Sequence, residues 1–156
     1  MTDQFLIRPA RERDCAFIAD LAPSLLEFAS PAWDDAAAFA PGLRDLLTRA
    51  VRAQGPQSAV LVAEGADGTP LGFISLIVGK DVVGAARGHV ADLAVVADAR
   101  RIGVGTALME AGEAWAREHE LPALSLDVWS SNTRALAFYR RLGYFAESLC
   151  LFKRVN

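Results

Sequence analysis

Apolar positions along this chain follow two rhythms, and the changes between them divide it into helical and extended stretches. Phe5–Arg8 reads as a short strand stopped by Pro9. Cys15, Ile18, Ala22 and Leu25 then recur at helical spacing, with Asp14 as an N-cap and Pro23 kinking or ending the helix. After the break Ala29-Ser30-Pro31, Asp34 or Asp35 is positioned to cap a second helix. Its stripe of Leu43, Leu46, Leu47, Ala50 and Val51 shares one face.

The middle of the chain is β-rich. Ser58–Glu64 and Leu71–Val78 flank Asp67-Gly68, a hairpin signal because glycine reaches positive φ freely. A loop over Lys80–Arg87 leads to a third strand, Gly88–Val96. A long helix from about Val104 to Glu118 should bury Val104, Ala107, Leu108, Ala111 and Trp115, and Leu124–Trp129 is another strand. Asn132 begins a short helix with Ala135, Phe138, Tyr139 and Leu142 inward and Gly143 as its C-cap. Tyr144–Arg154 is expected to return as one long strand or a bent pair. This order implies an α/β (α+β) domain with a mixed, largely antiparallel sheet. The crossover helix makes 88–96 and 124–129 parallel neighbours. No repeat or linker interrupts the chain, so residues 1–156 read as a single domain.

Composition narrows what such a domain can do. The chain has 156 residues, 53% apolar and 22% charged, enough to bury one core. A net charge of −3 argues against sequence-independent nucleic-acid binding, which needs clustered Lys and Arg. The polar start MTDQFLIRPARERD does not resemble a signal peptide, and no apolar run reaches membrane-spanning length, so a soluble cytoplasmic protein is expected. Cys15 and Cys150 lie far apart and read as buried small hydrophobes. With only His89 and His119 as histidines, no metal site is expected.

The sharpest feature is Arg100-Arg101-Ile102-Gly103-Val104-Gly105-Thr106, between a strand and a helix. Its glycines let the backbone turn tightly and approach a ligand, and the helix start presents unpaired N–H groups and the positive dipole end. A phosphate group is the natural occupant, although two packing glycines in a structural turn would look the same. A Walker A loop fails at Thr106-Ala107, which stand where Lys and Ser/Thr are required. A dinucleotide fingerprint fails at Leu108, where a small residue is needed.

The stretch His89–Met109 (HVADLAVVADARRIGVGTALM) resembles the acetyl-CoA-binding motif of the GNAT superfamily of N-acetyltransferases. Leu126–Phe145 (LDVWSSNTRALAFYRRLGYF) resembles that superfamily's second conserved block. The resemblance implies six to seven strands, helices on both faces and a splayed central parallel pair. It implies acetyl-CoA as co-substrate, with the backbone of Leu93, Ala94 and Val95 pairing with the pantetheine amides as an added strand would. Arg100, Arg101, Ile102, Gly103, Val104, Gly105 and Thr106 would hold the pyrophosphate. Asn132 would reach the pantetheine or cap its own helix, and Ala135, Phe138 and Tyr139 would line the coenzyme.

The resemblance also implies direct transfer of an acetyl group to a primary amine, with Tyr139 as the acid that protonates the departing sulfur; a purely packing role would equally suit its place on an apolar stripe. His89 matches a position assigned to amine deprotonation in some relatives, and Asp92 one that attracts a cationic amine. Strict alternation puts these two on opposite faces, so both can face one cleft only if a β-bulge lies between them. Glu64 and Asp127 read as polar strand edges, and His119 as a solvated helix end. Phe28, Phe39 and Trp33, in the 29–40 connection or beside it, are candidates for an acceptor wall, with the 80–87 loop as a second source of selectivity. The acceptor stays open: a small-molecule amine, a polyamine, an aminoglycoside or a protein amine. Oligomeric state is open too, a homodimer included. The alternative is a non-catalytic acyl-CoA-binding sensor of the same fold.

Overall fold

The computed structural model describes residues 4–29 and 35–155. Five strands form one sheet in the order β1-β2-β3-β4-β5: β1 (Phe5–Pro9), β2 (Ser58–Gly65), β3 (Pro70–Lys80), β4 (Ala86–Val95) and β5 (Leu124–Leu126). The first four pair antiparallel, and β5 joins β4 in parallel. Pro9 ends β1 from inside the strand, tolerated because β1 is an edge. Asp67-Gly68 makes the expected hairpin: Gly68 has φ +83, and the Thr69 N–H donates to Asp67 Oδ1 at 2.9 Å.

Helices cover both faces. The side with α1 (Cys15–Asp20), α2 (Ala22–Leu26) and α3 (Ala40–Arg52) buries Ile18, Ala22, Leu47 and Val51 against Val60, Val62, Phe73 and Ala94. On the other, α4 (Val104–Glu118) buries Val104, Leu108, Met109 and Trp115 against Ile74, Leu76 and Val90. Gly112, not Ala111, lies closest to the sheet; a Cβ there would stand 3.1 Å from Ile74 and 3.2 Å from Leu76. In α3 the face is narrower than the sequence stripe, and Leu46 is exposed. Pro23 opens α2 from its first turn instead of ending a helix. Asp35 precedes a 3-10 turn (Ala36–Phe39) without a side-chain cap, and Asp34 lies outside the described residues.

Asp14 stands at the N-cap position of α1 but makes no side-chain cap bond there. Its buried carboxylate accepts from the Arg11 N–H (2.7 Å) and from both Arg8 terminal nitrogens (2.7 and 2.9 Å). Arg8 Nε donates to Glu64 at 2.7 Å, so Glu64 is an ion-pair partner, not an open strand edge. The Arg8 hydrogen bonds, ahead of the opposing burial, hold the Asp14 carboxyl below the usual range. Arg8→Ala would leave the buried Asp14 carboxylate with the Arg11 N–H alone and Glu64 with exposed Arg13 alone (3.2 Å), and should destabilise the fold by about 3–5 kcal/mol in urea unfolding. A loss within experimental error would show the network to be dispensable.

The chain departs from expectation at its end. Leu124–Leu126 is all that forms of the strand expected over 124–129. Tyr144–Arg154 forms no strand, so the sheet has five strands among the described residues instead of six to seven. Residues 145–155 are all exposed, Cys150 among them, while Cys15 is buried as expected. No described helix is long and apolar enough to cross a membrane.

Candidate active site

The sheet opens where β4 outlasts β5. Their parallel pairing covers Gly88/Leu124, His89/Ser125 and Val90/Leu126, then stops. From Ala91 to Val95, β4 has β3 on one side and, among the described residues, no strand on the other. The register against β3 skips a residue here, with Val90 opposite Leu76 and Asp92 opposite Ser75. Ala91 is therefore the extra residue of a β-bulge, at the point where the strands part. Leu93 and Val95 pack toward α4 and Ala94 toward α1–α3, so it is their main chain that meets the gap.

The bulge changes which side chains meet. His89 lies opposite Ile77 and Asp92 opposite Ser75. Positions 75 and 77 share a face of β3, so His89 and Asp92 share a face of β4, the one covered by α1–α3. The condition set by the sequence is met. Asp92 has no hydrogen-bond or ion-pair partner among the described residues, and burial pushes its carboxyl up to about 6. Among the described residues no fully buried side-chain polar atom is left without a partner, so its oxygens reach solvent. His89 is more constrained: Nδ1 lies 2.9 Å from Ser125 Oγ, which itself donates to the Gly88 carbonyl (3.3 Å). The His89 Nε2 lies 3.6 Å from exposed Asp127, so the ring is held between a hydroxyl and a carboxylate.

Beyond Val95 a 3-10 turn (Ala97–Ala99) leads into the glycine loop. Arg101 (φ +76) and Gly103 (φ +88) are both left-handed, and Gly103 is the N-cap of α4. A Cβ on Gly103 would meet nothing within 4 Å, so that side of the turn is open space. Gly105 differs: a Cβ there would stand 3.3 Å from the Phe138 ring and 3.9 Å from Val95. Its smallness lets α5 (Thr133–Arg141) sit on the first turn of α4. The Val104, Gly105 and Thr106 N–H groups belong to that first turn and have no acceptor within the helix. Arg100 and Arg101 are exposed beside them, Arg100 Nε donating to the Val95 carbonyl at 3.3 Å.

Both ends of α5 are tied down. Asn132 Oδ1 accepts from the Ala135 N–H at 3.1 Å, which is the cap reading of that residue, and its amide nitrogen stays available. Gly143 (φ +92) closes a Schellman motif through Tyr144 N–H to Tyr139 O and Gly143 N–H to Arg140 O, both 3.0 Å. The Tyr139 ring lies edge-on to Phe138 (5.1 Å) and Tyr144 (6.0 Å). Its hydroxyl has no hydrogen-bond partner among the described residues and so reaches solvent, and burial pushes it up to about 12.

Two further contacts were not foreseen. Ser131 Oγ donates to the Phe28 carbonyl at 3.2 Å, joining the loop before α5 to the end of α2 and placing half-buried Phe28 beside the site. The polar run Ser130-Ser131-Asn132 was the available signal. His119 is no solvated end: its ring stacks on Trp115 at 4.5 Å. The 80–87 loop shrinks to residues 81–85 and lies at the opposite end of β4 from Val95, roughly 30 Å along the strand, so it does not border the glycine loop. Trp33 lies outside the described residues. No group of three or more His, Cys, Asp or Glu among the described residues is placed to hold a metal.

Known proteins resemble this chain in sequence or in fold. An aminoglycoside N(6')-acetyltransferase type 1 of Klebsiella aerogenes is 36% identical over 90 residues, 56% of this chain and 59% of that protein. An N-alpha-acetyltransferase of Sulfurisphaera tokodaii is 37% identical over 59 residues, covering 37% and 35% of the two chains. Both matches thus span less than two thirds of the relative. The solved structure of AAC(6')-Iy, in complex with the bisubstrate analogue CoA-S-monomethyl-acetylneamine, superposes with a TM-score of 0.71 at 19% identity, covering 97% and 98% of the chains. The model of the acetyltransferase (GNAT) family matches residues 10–144, which takes in every strand but β1, both helical layers and the whole open gap, and this chain belongs to that family.

Proposed function

We propose that this protein transfers an acetyl group from acetyl-CoA to a primary amine by direct attack, with Tyr139 as the acid and Asp92 as the group that receives the amine. The observation that supports the reading is the edge of β4 from Ala91 to Val95 that no described strand covers, which runs toward the turn at Gly103. An open edge at this point has main-chain donors and acceptors to offer an extended ligand bearing amides, as pantetheine does. The turn beyond it, with free N–H groups, two arginines and no atom where a Cβ would stand, suits a diphosphate. Asn132 can add its amide N–H, and Ala135 and Phe138 an apolar wall. The coenzyme supplies the thioester.

The chain's own groups handle the protons. An amine near pKa 10 arrives as ammonium, which a carboxylate attracts and from which it can take a proton; Asp92, ionised above about 6, is suited to both at neutral pH. His89, on the same face with its ring oriented by Ser125, is a second candidate base. Tyr139, protonated throughout the physiological range, can donate to the sulfur. Phe28 would form part of the acceptor wall. The relatives' names point to amines on an aminoglycoside or at a protein N-terminus as acceptor classes.

The reading is tested by following free thiol release from acetyl-CoA with a panel of aminoglycosides, polyamines and peptide N-termini. Release dependent on one amine class supports it. Thermal stabilisation by acetyl-CoA without release on any amine would instead mark a coenzyme-binding sensor. Gly103→Ala provides a narrower check. A side chain at φ +88 strains the turn by roughly 1–2 kcal/mol, which depopulates the binding conformation, and its Cβ also enters the open space. Coenzyme affinity should fall about tenfold or more by calorimetry; unchanged affinity would remove this turn from the site.

A further inference from the structure

Two polar side chains are buried among the described residues, Asp14 and Ser75, each 4% exposed. Asp14 has Arg8 and the Arg11 N–H as partners, whereas Ser75 hydrogen-bonds through its side chain to no described residue. As no fully buried polar atom among these residues lacks a partner, its Oγ reaches solvent. Ser75 lies on the β3 face covered by α1–α3, between Phe73 and Ile77 in the alternation. A hydroxyl buried without a partner costs stability compared with a methyl in its place, so packing does not account for it.

Its Cα partner on β4 is Asp92, immediately after the bulge, where no described strand covers the other side of β4. Directly opposed residues have Cβ atoms about 5 Å apart, close enough for two side chains to hold one atom between them. The Asp92 carboxylate and the Ser75 hydroxyl make no hydrogen bond to each other or to another described residue. Both reach solvent from one face, beside the α2 helix that packs on β4 and ends just before Phe28. An ionised carboxylate only accepts hydrogen bonds, and a hydroxyl oxygen accepts through its lone pairs. A cation with two or more N–H groups on one nitrogen matches such a pair.

Resting on the acetyl-transfer reading above, we infer that Ser75 is a specificity-determining residue of the acceptor site, its Oγ accepting a second N–H from the ammonium that Asp92 draws. A primary ammonium has three N–H groups and satisfies both oxygens at once. When one proton has passed to Asp92, the bond to Ser75 remains and holds the neutral nitrogen in place. A nitrogen carrying two methyl groups has a single N–H, which the carboxylate takes, and has nothing to give the hydroxyl. Ser75 therefore favours unsubstituted amines.

Calorimetry at saturating coenzyme A, on the full chain and on Ser75→Ala, tests this. The probes are a short peptide beginning with alanine, kanamycin and spermidine, each against the form with its primary amines dimethylated. Ser75→Ala should weaken binding of the primary amine by about 10–100-fold and leave the dimethylated form and coenzyme A unchanged. Its thermal midpoint should equal or exceed the parent's, because no protein hydrogen bond is lost. Equal effects on the two forms, or no effect on either, would overturn the proposal. A less stable or unfolded variant would assign the hydroxyl to packing and overturn it as well, as would failure of every primary amine to bind the unaltered chain. The transfer reading fails separately: no thiol release from acetyl-CoA, with the loss still confined to the primary amine, would remove the reaction and keep the ammonium site.

Discussion

Tyr139→Phe should lower kcat about 10²–10⁴-fold, the usual contribution of a positioned acid or base, and leave the dissociation constant for coenzyme A nearly unchanged. The ring is held from two sides, edge-on to Phe138 and Tyr144, and the substitution keeps it. What it removes is one hydroxyl that makes no hydrogen bond to the protein among the described residues, so no buried partner is stranded by its loss. A structural role would show the reverse: coenzyme affinity and thermal stability would fall together, and kcat would follow them. The alkaline limb of the pH profile gives a second readout. Burial raises the phenol to about 12, so its deprotonation should not limit the rate at ordinary assay pH.

Asp92→Asn should produce an opposition between activity and stability. Burial raises the folded-state carboxyl from its usual 3.8 to about 6, so between these values the folded protein binds more protons than the unfolded chain. Stability attributable to this group is therefore greatest below about pH 4 and is lost as pH rises through about 6. At about 1.4 kcal/mol per tenfold change in proton affinity, holding the ionised group at pH 7 costs on the order of 3 kcal/mol. The Asn variant escapes that penalty and should unfold at higher urea concentration than the parent at pH 7, with the difference vanishing near pH 4. Its kcat/KM should drop and lose the rise through about pH 6 expected of the parent. A variant that is both less stable and unaltered in pH profile would assign Asp92 to packing and leave the base to His89.

Elements bounded by chemistry were legible from the residues. The α4 helix runs from Val104 to Glu118 as expected because Gly103 supplies a left-handed start and the apolar spacing then holds. The α5 helix was readable from Asn132 and Gly143, whose cap bonds both form. The bulge at Ala91 was not readable as such: VADLAV carries no mark of a skipped residue, and only the need to bring His89 and Asp92 together pointed to one. Ser125 looked like an ordinary strand residue because its role exists only across the β4–β5 pair. The largest miss, Tyr144–Arg154, has a physical reason. Alternation reports that a segment can lie in a sheet, but a strand exists only beside a neighbour, and the residue pattern alone does not say whether one is there.

Coenzyme binding as proposed depends on the glycine turn gripping a diphosphate, and calorimetry with two ligands tests that directly. Coenzyme A should bind with one site per chain, while pantetheine, which keeps the amides and lacks the diphosphate, should bind at least about 100-fold more weakly, some 2.7 kcal/mol. Equal affinity for the two, or no heat with coenzyme A at saturation, would contradict it.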